Sequence, residues 1–78
     1  MENQNSEPMY SVKKLHDWFA NREMRHCITI MNRRHPNRDE LSHYEVYAIL
    51  VDTVGILTVT LGYIYDIEKT CVNDPNPM

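Results

Sequence analysis

Apolar positions along this chain follow a helical period near both ends of its first half and a period of two near its C-terminus. In "YSVKKLHDWFAN", Val12, Leu15 and Phe19 recur at the i, i+3, i+7 spacing of a buried stripe, and Trp18 widens it. Lys13, Lys14 and Asp17 take the other face, so the pattern predicts an amphipathic helix ending near Asn21 or running on toward Met24. "HCITIMN" is short, rich in β-branched residues (Ile28, Thr29, Ile30) and bounded by charge. That composition favours a strand over the alternative, the last turns of a long first helix.

In "HPNRDELSHYEVYAILVD" Pro36 interrupts what precedes it, and Asn37 with Glu40 three residues later has capping-box spacing. Asp39 and Glu40 suit the positive end of a helix dipole. Leu41, Tyr44, Ala48 and Val51 then share one face with Tyr47 beside them, which predicts a second helix, and Gly55 suits its C-terminal end.

The least polar stretch is "GILTVTLGYIYDI". Its uncharged run, Thr53 to Tyr65, falls short of the roughly 20 residues a spanning helix needs, and Asp52 precedes it. Read in twos, Leu57, Val59, Leu61, Tyr63, Tyr65 and Ile67 fall on one side, while Ile56, Thr58, Thr60, Gly62, Ile64, Asp66 and Glu68, mostly small or polar, fall on the other. This is the signature of a half-buried strand, with Gly62 marking a bulge, a bend or a hairpin. A helical stripe through Val54, Leu57, Leu61, Ile64 and Glu68 accounts for fewer residues.

The order helix, short strand, helix, long strand gives an α+β class: a small single domain with two helices packed on a short sheet. Residues 9–72 form that domain, residues 1–8 a loose polar arm, and residues 73–78 a proline-bearing tail. Two strands with one apolar face are unstable alone, and "LTVTLGY" offers an edge with few charges, so a homodimer is expected. The alternative is an all-α helical hairpin, turning near Pro36, that forms a dimeric bundle.

Composition tightens this picture. Leu, Ile, Val and Phe number eighteen, about 23% of 78 residues, enough for a small core. "MENQNSEPMY" lacks a basic start and an apolar run, so a cytoplasmic protein with Cys27 and Cys71 as reduced thiols is expected; sequence leaves a bridge between them open. The net charge of −3 is uneven: residues 21–38 carry +4 and residues 39–78 carry −6.

Motifs for chemistry are sparse. His16, His26, His35 and His43 with the two cysteines lack zinc-type spacing, and no nucleophile elbow, phosphate loop or dinucleotide fingerprint occurs. No metal, cofactor, membrane partner or enzymatic activity is expected. Arg22, Arg25, Arg33, Arg34 and Arg38 cluster within 17 residues. Arginine suits phosphate, which makes a nucleic-acid-binding regulator the alternative function, although the plain reading pairs these arginines with the acidic C-terminal half. The leading expectation is a non-enzymatic regulator or inhibitor that occupies a protein partner's surface, of the kind viruses and mobile elements encode; the analogy rests on size. Trp18, Tyr44 and Tyr47 with Arg33, Arg34 and Arg38 are its candidate contacts, because Trp, Tyr and Arg dominate interface energetics.

Overall fold

The computed structural model describes residues 9–73, without the side chains of Thr60, Leu61 and Asn73. The expected arm and tail therefore lie outside the described residues, except that Asn73 joins a strand. The elements are β1 (Met9–Ser11), α1 (Val12–Asn21), α2 (Arg25–Arg34), β2 (Glu40–Ser42), α3 (His43–Val54), α4 (Ile56–Thr58), a π-helical turn (Val59–Tyr63), α5 (Ile64–Cys71) and β3 (Val72–Asn73). The protein is a small α+β domain in which helices predominate.

Ser11 ends β1 and caps α1, its hydroxyl accepting the Lys14 backbone N–H at 3.2 Å. On α1 the expected stripe is present: Leu15, Trp18 and Phe19 are buried. The helix stops at a three-residue connection, Arg22 to Met24, in which Glu23 adopts a left-handed φ of 59°. The Arg22 and Met24 N–H groups both return to the Phe19 carbonyl, which ties the turn to the end of α1.

The sheet has the order β2-β1-β3, with both neighbours antiparallel to the central strand. Tyr10 pairs with Leu41 on one side and Val72 on the other. Around it a single core draws Leu15 and Phe19 from α1, Met31 from α2, Ile49 and Leu50 from α3, and Ile67 from α5. Burying each such side chain contributes about 1.5–3 kcal/mol.

Three sequence expectations are corrected. "HCITIMN" is helical: Cys27 and Met31, one turn apart, are buried while Thr29 between them is exposed. Packing on the core overrides the β propensity of Ile28 and Ile30. The stretch "GILTVTLGYIYDI" is also helical, with breaks at Gly55 and Gly62. Val59 and Ile67 face the core, whereas Leu57 and Tyr65, on the same side in the strand reading, are 78% and 63% exposed. The "LTVTLGY" edge that motivated a homodimer therefore does not exist. The sheet comes instead from three short segments, two of which the sequence assigns to helix starts and the third to the boundary between domain and tail.

The third correction concerns the start of α3. Asn37 has a left-handed φ of 64°, which is incompatible with the extended backbone of an N-cap. Ser42 caps α3 instead, and Glu45, three residues later, completes a reciprocal capping box that lies five residues beyond the expected one. The buried face of α3 is consequently Val46, Ile49 and Leu50, and Tyr44 points outward. Gly55, with φ 92°, ends this helix where expected. Pro36 does separate two helical halves, as in the hairpin alternative, but each half contains a break and contributes to the sheet. Among the described residues no helix is long and apolar enough to cross a membrane.

Candidate functional surface

Three of the five arginines are held by acids of the C-terminal half. Arg22 donates to Asp66 at 2.9 Å, Arg34 pairs with Asp52, and Arg38 pairs with Glu45 at 3.2 Å. β2 runs directly into α3, and the chain turns again at Gly55 and Gly62, so Glu45, Asp52 and Asp66 come to lie beside the 35–39 connection, α2 and α1 respectively. Each pair is partly exposed, so each contributes roughly 0–1 kcal/mol.

Arg22 and Asp66 belong to a larger cluster built on Trp18. The indole N–H donates to Asp66 at 2.8 Å, and the Arg22 guanidinium lies 3.9 Å from the indole centroid. Phe19 and Tyr63 pack edge-on against the same ring at 5.8 and 5.6 Å. At 3% exposure Trp18 is a packing group, not the surface anchor expected from its residue type. A groove of about 420 Å³ between α1 and α5 is lined by Lys14, Asp17, Asn21, Arg22 and Asp66, with Trp18 at its base.

Arg38 has a different task. The Val12 N–H donates to the Asp39 carbonyl, so residue 39 faces β1, and the alternation of a strand turns the backbone groups of Glu40 and Ser42 outward. Arg38 donates to the Glu40 carbonyl at 3.0 Å, and the Ser42 N–H donates to Glu45 at 2.8 Å. One ion pair thus occupies two outward groups of β2, the Glu40 carbonyl and the Ser42 N–H, which obstructs strand addition at that edge. The Ser42 N–H, followed by Arg38, holds the Glu45 carboxyl below the usual carboxylate range.

Tyr47 stacks on His43, with ring centroids 6.1 Å apart, and His43 accepts the buried Tyr10 hydroxyl on Nδ1 at 2.9 Å. Burial, with Glu68 nearby, pushes the Tyr10 phenol up to about 12, so it keeps its proton and is the donor. Both cysteines are buried and unbridged. Thr53 donates to the Ile49 carbonyl, which leaves its oxygen to accept the Cys27 thiol at 3.1 Å; burial pushes both thiols up, Cys71 to about 11. Among the described residues no three His, Cys, Asp or Glu side chains gather as metal ligands would.

Two kinds of exposed side chain stand out on the surface. Arg25 and Arg33 are exposed on α2 and carry no ion pair among the described residues. Tyr44 is 77% exposed, and Ile56 and Leu57 sit 47% and 78% exposed at the corner that Gly55 makes after α3. A strand over this stretch puts Leu57 inside and Ile56 on the opposite, mostly polar side, so the pattern does not single them out as an exposed pair. The glycine before them was the available signal. Comparison of the chain with protein-family models, with characterised proteins and with solved structures finds no match.

Proposed function

We propose that this chain is a non-enzymatic regulator that acts by occupying the surface of a protein partner. The observation that carries the reading is the pair Ile56 and Leu57, adjacent and exposed at a corner fixed by Gly55. A chain with eighteen Leu, Ile, Val and Phe residues has little apolar surface beyond its core, and here two of those residues face solvent. An exposed aliphatic pair on a constrained turn supplies a contact with low ordering entropy, the property that makes a hot spot effective. Tyr44 and Tyr65 offer further amphipathic area. Three acidic groups, by contrast, are engaged in holding the fold: Asp66 with Trp18, Asp52 with Arg34, and Glu45 with β2 and Arg38. Tyr47 serves the His43 stack, and Arg34 and Arg38 serve their ion pairs, so the contact set moves from those residues to the corner.

The test is affinity capture from the native host with wild-type bait and an Ile56→Ser/Leu57→Ser bait, each with and without nuclease. A nuclease-resistant protein held by the wild type and reduced at least about 30-fold in affinity by the variant, equivalent to a loss of roughly 2 kcal/mol, is expected. Because both side chains are exposed, the variant should melt within a few degrees of the wild type. Equal capture by the two baits, or capture abolished by nuclease, refutes the proposal.

A further inference from the structure

We infer that α2 is a reading helix for the major groove of duplex DNA, presented by a helix-turn-helix connection with α1. The outer face of α2 consists of Arg25, His26, Thr29, Asn32 and Arg33, all exposed, at the i, i+1, i+4, i+7, i+8 positions of one helical stripe. No acidic residue lies on this helix, although the chain as a whole is acidic. The other three arginines of the cluster are held by acids, whereas Arg25 and Arg33 are not, so the two uncompensated arginines of the cluster both lie on this face.

Geometry and side-chain chemistry both favour a duplex. α1 and α2 are joined by three residues with a left-handed Glu23, the kind of short connection that sets a second helix across the first. α3 supports α2 from behind through the Cys27–Thr53 and Arg34–Asp52 contacts. Arg25 and Arg33 are eight residues apart, about 12 Å along the axis, and the B-form major groove is about 12 Å wide. Arginine reads guanine bidentately, asparagine reads adenine, and the threonine methyl meets thymine, so the exposed set has the vocabulary of base recognition. Reading helices place their first turn against base edges, and Arg25 and His26 occupy the first turn here. The same groove of duplex RNA is too deep and narrow to admit a helix. An acidic protein surface fits less well, because this face exposes no apolar side chain to form a desolvated centre.

The inference involves side chains other than Ile56 and Leu57, so it stands or falls independently of the proposed protein contact. The test uses fluorescence anisotropy of a labelled 20-base-pair random-sequence DNA duplex, titrated with the full chain from about 50 to 200 mM salt. Micromolar binding is expected at the low end, weakening as salt rises. Arg25→Ala/Arg33→Ala should lower affinity at least tenfold and reduce the slope of log affinity against log salt by about 2. A charge-matched control, Lys13→Ala/Lys69→Ala, removes exposed cations from α1 and α5 and should stay within about threefold of the wild type. Ile56→Ser/Leu57→Ser should also bind the duplex as the wild type does. No binding at 50 mM salt, or equal losses in the two double-alanine variants, overturns the inference. So does binding to a polyglutamate peptide that depends on Arg25 and Arg33 while the duplex stays unbound, which would assign α2 to an acidic protein surface.

Discussion

Replacing Asp66 by alanine tests whether the indole–carboxylate contact organises the α1–α5 packing. The carboxylate accepts two bonds, from the Trp18 N–H at 2.8 Å and from Arg22 at 2.9 Å. These differ in energy because the donors differ in burial. Trp18 is 3% exposed, so its N–H, once deprived of Asp66, has little access to water and incurs a desolvation penalty of about 1–3 kcal/mol. Arg22 and Asp66 are both partly exposed, so their ion pair adds at most about 1 kcal/mol. The expected total for Asp66→Ala is near 2 kcal/mol. Asp66→Asn retains an acceptor oxygen for the indole and removes the charge, so about 0.5–1 kcal/mol is expected. For a domain of this size 1 kcal/mol corresponds to a shift of roughly 4–8 °C in Tm, so the alanine variant should melt about 8–16 °C lower. The chain has a single tryptophan, and its fluorescence during urea and thermal unfolding reports on this site directly. An alanine variant within about 0.5 kcal/mol of the wild type would refute the argument, as would an asparagine variant equally damaged.

Two further outcomes follow from the backbone and from pH. At Gly62, φ is 132° and ψ −7°, and nothing lies within 4 Å of where a β-carbon would stand. Gly62→Ala should therefore destabilise by about 1–3 kcal/mol through backbone conformation alone, measured by urea unfolding; a change below about 0.5 kcal/mol would show that the kink relaxes at little cost. Glu45 has a folded pKa below its unfolded value, so its contribution is fully present above about pH 4.3 and is lost as pH falls through the lower folded value. Glu45→Gln should flatten the decline of stability with acid below about pH 5, and a slope identical to the wild type's would exclude this role.

The helix α1, its buried stripe and the stop at Gly55 were legible because local signals and tertiary demands coincide there. Leu15, Trp18 and Phe19 are spaced for a helix, and nothing nearby competes for them. The C-terminal region was not legible, for a reason of arithmetic. Val59, Tyr63, Ile67 and Cys71 are spaced by four, and a spacing of four satisfies a period of two as well as a helical stripe. Leu57 and Tyr65 would have distinguished the two, and their exposure is a property of the folded chain. The arginine cluster was visible as a charge excess, but which arginines stay free was not, since the partners Asp66, Asp52 and Glu45 are selected by chain reversals.

The sequence by itself determined the amphipathic first helix, the helix stop at Gly55 and an unequal distribution of charge, because composition and short-range periodicity are local quantities; the α+β class agrees with the structure, but both strands it was argued from are helical. Tertiary structure decided which of two capping boxes starts α3, turned the β-branched runs helical, and placed the sheet in three short segments. With Glu40–Ser42 and Val72–Asn73 on either side of Met9–Ser11, Tyr10 and Leu41 of the sheet share one core with Val59 and Ile67 of the helical C-terminal stretch. Long-range packing outweighs local propensities that differ by less than about 1 kcal/mol per residue.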